Sequence, residues 1–254
     1  MNPFAVFAKK EISEIIKTYR WLIISLIAIA LGFSCPIFAK LTPKLLEDYV
    51  TGGITINVPE PTYNDSWYQY FKDCPLICLV SVLLCFVDSI SGEVRSGSII
   101  NMLTKGVSRT VFYLSKYSVM VVIYAITLFL CFEACNIYTN VLFEDTAKVN
   151  FIVSYVAPLC FGILLLSLLF LFEVVFLNVI GSLGGVIAAY IALMLLGFCK
   201  QFEDYNPVLL FSNNSAVAFD ADTPSGFAAK ILVALIISTI ATISGIIIFK
   251  KKQI

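Results

Sequence analysis

Few residues in this chain can do chemistry, and their types already exclude several functions. There is no histidine, which removes His-ligated metal and haem sites and Ser-His or Cys-His catalysis. No Gly-x4-Gly-Lys-Ser/Thr occurs, so the chain has no loop of the kind that cradles nucleotide phosphates. Glu173 is the only charge between residues 151 and 199. A charge inside a membrane span is functional by default, but the span lengths place Glu173 at the inner end of a span, within reach of anything docked there. The eight cysteines (35, 74, 78, 85, 131, 135, 160 and 199) lie in or at the ends of apolar runs. They read as small packing residues or, alternatively, as the source of a disulfide near the outer face, between two of Cys35, Cys74, Cys131, Cys135 and Cys199. The Cys-x3-Cys pairs 74/78 and 131/135 have helical spacing and are not zinc knuckles.

The most polar stretch with a pattern is 88–110, DSISGEVRSGSIINMLTKGVSRT. Ser98 can cap a short helix whose apolar residues Ile99, Met102 and Leu103 stand at i, i+3 and i+4. Gly106 then stops it, and Ser108 can cap the next helix. Such a helix between two spans is either a docking element for a partner or a solvated loop.

Those groups must be held by membrane-spanning elements. Of the 254 residues, 59% are hydrophobic and 13% charged, against about 45–50% and about 25% in soluble domains. Seventeen Lys and Arg balance seventeen Asp and Glu, and with no net charge nothing suggests nucleic-acid binding. Uncharged runs mark spans at 21–39, 151–172 and 231–249. Three more are expected at about 69–90, 111–132 and 182–198, with Pro75 in the first turns of its helix and Lys116 snorkelling from the end of its own. The fold class is an all-α integral membrane protein of six transmembrane helices, a single domain over 1–254. Eleven of the seventeen Lys and Arg fall in 1–20, 88–116 and 250–252, so the positive-inside rule places both termini in the cytoplasm. Residues 1–20 read as an interfacial amphipathic helix, with Phe4, Phe7, Ala8, Ile12, Ile15, Ile16 and Tyr19 on one face. Glu11 falls on that apolar face as an exception. Between the last two spans, 200–230 is too apolar at 208–211 for a solvated loop and too short to cross, which implies a re-entrant outer segment.

Three stretches give the chain a family resemblance. The first is Ala8-Lys9-Lys10-Glu11-Ile12, with Arg20 just before the first span. The second runs from Glu93 through Gly97-Ser98, Ile100-Asn101-Met102-Leu103-Thr104-Lys105-Gly106 and Ser108-Arg109 to Ser115-Lys116. The third is Val58-Pro59-Glu60-Pro61-Thr62 with Asp65-Ser66-Trp67, together with Tyr205-Asn206-Pro207. In these the chain resembles the small six-span permease subunits of type-2 ATP-binding-cassette exporters of bacteria, with Gly97-Ser98 where that family usually has Gly-Thr.

The resemblance implies a homodimer of permease chains in a bacterial plasma membrane, with two copies of a cytoplasmic ATPase subunit below. ATP and Mg would be held by that partner, so no cofactor is expected on this chain and it is not itself an enzyme. The loop 88–110 would be the coupling helix, contributing Glu93, Arg95, Ser98, Met102, Leu103, Lys105 and Arg109, and Glu173 would add a smaller contact. No metal ligand is implied. The spans offer hydroxyls and amides such as Thr127, Ser167 and Asn178 among apolar side chains, which suits hydrophobic or amphipathic cargo. Family relatives export peptides, antibiotics and lipid-linked sugars, and peptides are the cargo expected. The alternatives are a drug or lipid exporter permease, or a non-transporting membrane immunity or sensor protein.

Overall fold

The computed structural model describes residues 3–49, 60–104, 106–143, 149–199, 204–212, 219 and 226–252, and leaves the side chains of 44–49, 101, 103 and 212 outside the description. Among the described residues there are ten α-helices and no strand. Six helical stretches are long and apolar enough to cross a membrane, so the chain is a multi-pass membrane-type bundle.

Helix α1 (Pro3–Lys17) is separate from α2 (Arg20–Tyr49). The chain breaks at Thr18–Tyr19, where Tyr19 takes a left-handed φ of 57°, a conformation that ends a helix. Helix α3 (Tyr63–Phe86) opens with the Asp65 carboxylate accepting hydrogen bonds from the Thr62 N–H (2.8 Å) and hydroxyl (3.1 Å). This cap starts α3 earlier than the hydropathy predicts. Pro75 therefore sits in the middle of α3 and not in its first turns, where it withholds one backbone donor. The connection that follows holds α4 (Ser91–Arg95) and α5 (Ser98–Thr104).

Helix α6 (Arg109–Leu142) begins at Ser108, whose hydroxyl accepts from the Val111 N–H at 3.3 Å. Its 34 residues make a rod of about 50 Å, longer than the expected span. A π-helical stretch, Ile152–Val156, leads into α7 (Ala157–Phe176). There the Tyr70 hydroxyl donates to the Ser154 carbonyl at 3.3 Å, and Tyr124 to that of Pro158 at 3.1 Å. Gly162 lies against the Tyr124 ring with no room for a Cβ. Helices α8 (Val179–Gly197), α9 (Leu209–Ser212) and α10 (Phe227–Lys251) complete the bundle.

Two groups of helices share one core. Helices α2, α3 and α6 pack together, with α1 laid on α6, while α7 packs with α10 and α8. Contacts of α6 and α3 with α7 join the groups. Helix α8 is the least enclosed span, with Ile180 and Phe198 almost fully exposed. At the opposite end from α1, Val208 and Leu210 are buried and Phe211 meets Phe161 at 5.3 Å. Asn206 donates to the Leu193 carbonyl at 2.8 Å and accepts from the Val208 N–H at 3.0 Å. Asp220, Asp222, Pro224, Val58 and Pro59 lie outside the described residues.

Candidate functional site

Almost all the buried charge gathers at one end of the bundle, where α1, the 88–110 connection, the end of α7 and the end of α10 meet. Lys116 is the hub. Its side chain is 3% exposed, and its Nζ lies 2.8 Å from Glu11 Oε2 and 2.9 Å from Glu93 Oε1. Lys10 reaches the same Glu93 oxygen at 3.0 Å, Glu11 at 3.4 Å and Glu14 at 3.6 Å. One group of charges thus ties α1, α4 and α6 together. Lys116 does not snorkel out of the bundle; two carboxylates meet it inside. The same contact explains why Glu11 interrupts the apolar face of α1, because that face seats on α6 at Lys116.

Burial opposes the Lys10 ammonium, but the hydrogen bond to Glu93 and the charges of Glu11, Glu93 and Glu14 outweigh it and hold the Lys10 pKa above its ordinary 10.5. The raised value means that the contribution of Lys10 is fully present below that pH and is lost only as pH rises through the folded pKa. Glu11, Glu14 and Glu93 come close enough to one another to hold a metal ion. The two lysines already occupy that place, so the cluster reads as an ion-pair network. Beside it opens a cavity of about 440 Å³, lined by Lys10, Glu14, Arg20, Ser96, Ser98 and Met102 among others. The second oxygen of Glu93, Oε2, is buried there without a hydrogen-bond partner.

Glu173 is fully buried. Its Oε1 accepts from the Ser89 N–H and its Oε2 from the Ile90 N–H, each at 3.1 Å. These donors belong to the turn between α3 and α4, so a carboxylate from α7 caps the start of the connection. Asp88 closes the same turn, accepting from Ser91 at 2.8 Å and from Arg95 at 2.9 Å. The ends of α7 and α10 are completed by cations, as the excess of carbonyls at a helix C-terminus favours. Lys252 Nζ donates to the carbonyls of Val174 and Val175 at 2.7 Å. Its burial lowers its pKa. Arg109 donates to the carbonyls of Phe249 (2.9 Å), Lys250 (3.2 Å) and Lys252.

The residues of the expected coupling loop divide by direction. Glu93, Arg109 and Glu173 face inward and bind other parts of this chain. Arg95 and Ile100 are exposed, while Ile99 is fully buried and Met102 partly so. Ser98 does not cap α5. It is the first residue of that helix, and its hydroxyl donates to the Glu93 carbonyl at 3.4 Å. Gly97, at φ 71°, supplies the carbonyl that accepts from the Ile100 N–H. Gly106 follows α5 with φ 85°. Lys105 and the side chain of Leu103 lie outside the described residues.

Sequence reasoning missed the inward ties of Glu93 and Glu173. It also missed the Glu11–Lys116 pair, for which a signal was available: Glu11 is a charge on an apolar face and Lys116 a charge inside a span. The chain matches no family model and no curated protein.

Proposed function

We propose that the chain is the transmembrane subunit of an ATP-driven exporter, with hydrolysis carried out by a separate cytoplasmic ATPase that docks on the α4–α5 connection. The observation that carries this reading is the mounting of that connection. Glu173 grips its first turn from α7, Glu93 binds it to α1 and α6, and its edge at Arg95 and Ile100 is left exposed. A solvated loop has no need of such ties. A lever does, because a push on its outer edge must reach several spans without being absorbed locally.

On this reading both termini and the connection face the cytoplasm of a bacterium. Arg95 and Ile100 meet the ATPase, joined by Leu103 and Lys105, while Glu93, Arg109 and Glu173 transmit the motion. The cargo is hydrophobic or amphipathic, because among the described residues the spans confine their buried charge to one end, and a peptide is the class that the family resemblance suggests. The exposed apolar faces of α2, α8 and α10 are where lipid and a second, identical chain would meet this one.

The test is co-purification of the chain with its ATPase partner from native membranes. Ile100→Asp places a carboxylate in the proposed cleft, a cost of about 2 kcal/mol or more, which is roughly a thirtyfold loss of affinity. The expected outcome is loss of ATPase pull-down and of cargo-stimulated hydrolysis with an unchanged melting temperature, since Ile100 is half exposed in the free chain. Wild-type pull-down and hydrolysis would remove the docking role from this connection.

A further inference from the structure

Far from the charged end, α2, α3 and α6 bring five cysteines into one buried cluster. Cys35, Cys74, Cys78, Cys131 and Cys135 are each at most 1% exposed. Cys35 Sγ and Cys74 Sγ stand 3.1 Å apart, and both thiols approach the Leu31 carbonyl, at 3.3 and 3.7 Å. Cys131 lies against Cys74 and Cys78, and Cys135 against Cys35. The packing that creates the cluster is specific. Gly32, one turn before Cys35, meets α6 so closely that a Cβ would fall 2.6 Å from the Cys131 carbonyl oxygen and from the Ala134 Cβ. Along α6, Cys131 is roughly 33 Å from the Arg109 end at 1.5 Å per residue.

We propose that Cys35 and Cys74 form a redox site, in which a lipid-soluble two-electron oxidant of the quinone class converts the two thiols into a disulfide joining α2 to α3. Both S–H bonds break and one S–S bond forms. The two electrons and two protons pass to the quinone, which leaves as the quinol. The 3.1 Å separation of the two sulfurs is about 1 Å longer than the ~2.05 Å of a disulfide. A thiolate metal centre fits less well, because among the described residues no three thiols come close enough to one another to share an ion.

The surroundings decide the class of oxidant. Trp67, Tyr70, Phe71 and Phe132 pack around the thiols, and the neighbouring outer surface of α2 and α3 is apolar, with Phe38 and Ile77 exposed. A charged disulfide such as oxidised glutathione would have to shed its hydration to enter. A neutral ring dissolved in the bilayer would not.

The experiment uses the full chain in native membranes and duroquinone, whose fully substituted ring has no free position at which to retain a thiol as a stable thioether. After oxidation, free thiols are blocked with N-ethylmaleimide, and the protein is denatured, digested with trypsin and analysed by mass spectrometry. The expected product joins residues 21–40 to residues 73–95 with N-ethylmaleimide on Cys78 and Cys85, is otherwise two hydrogens lighter than the two peptides together, and separates on reduction. It persists in Cys78→Ala and Cys85→Ala, whose cysteines share the second peptide, and disappears in Cys35→Ala. Free Cys35 and Cys74 after both duroquinone and copper–phenanthroline would overturn the site, as would a bond from Cys74 to Cys131. A link formed by copper–phenanthroline but not by duroquinone would overturn the oxidant class.

Discussion

Replacing Lys116 with methionine is expected to release α1 from the bundle. Lys116 is almost wholly enclosed, with Glu11 at 2.8 Å and Glu93 at 2.9 Å. Removing its charge leaves two carboxylates facing each other in a site where Lys10, itself partly exposed, is the nearest remaining cation. Breaking a buried ion pair from one side costs about 3–5 kcal/mol, a large share of the 5–15 kcal/mol typical of a folded domain. Two readouts should move together in the detergent-solubilised protein. The melting temperature should fall, and trypsin should cut after Lys9, Lys10 and Lys17 well before it cuts elsewhere. The combination Glu11→Gln, Glu93→Gln and Lys116→Met removes all three charges, and should recover most of the loss, because replacing a whole buried ion group by neutral residues is often close to neutral. Wild-type melting and proteolysis of Lys116→Met would mean that the group is hydrated and holds nothing.

Glu173→Ala is expected to loosen the connection selectively. The substitution removes the acceptors of two backbone N–H groups, those of Ser89 and Ile90, at a fully buried position. Each orphaned donor costs about 1–3 kcal/mol. Hydrogen exchange should quicken at residues 89–97 while α2 and the middle of α6 keep their protection. Glu173→Gln retains one carbonyl oxygen but turns an NH2 toward the other donor, so it should fall between wild type and Ala. Coupling should fail in the same order if the connection is a lever, because a loosened first turn absorbs the push. Uniform acceleration of exchange throughout the chain would instead make Glu173 a general stability residue.

How much of this was legible beforehand differs from residue to residue. The spans were visible because hydropathy is local: 151–172 and 231–249 carry no charge, and α7 and α10 form around them. Ser108 was legible as a cap and Gly106 as a stop, because both act within one turn of themselves. Their neighbour Ser98 was misplaced by one position, since Gly97 can take the positive φ that starts α5 without help from a side chain. The direction of Glu93 was not legible. It lies on α4, a helix the sequence did not announce, and its partners Lys10 and Lys116 are brought to it by α1 and α6. Glu173 falls in the last turn of α7, fully buried, and its partners are backbone N–H groups, which leave no trace in a sequence. The length of α3 depended on the Thr62–Asp65 cap, a polar feature outside the apolar run by which the span was measured.

The central claim, that a cytoplasmic ATPase drives this membrane subunit through the α4–α5 connection, is tested most directly by placing a photo-crosslinking residue at Ile100 in the full chain and identifying what it captures in native membranes. Ile100 lies on the exposed edge of α5, and its neighbour Ile99 is fully buried, so the same residue placed at Ile99 serves as an internal control that should capture nothing outside the chain. The account predicts an ATPase with a Gly-x4-Gly-Lys-Ser/Thr loop, crosslinked from position 100. Capture of a kinase at that position, or of no second protein while α1 stays docked and the melting temperature is unchanged, would contradict it.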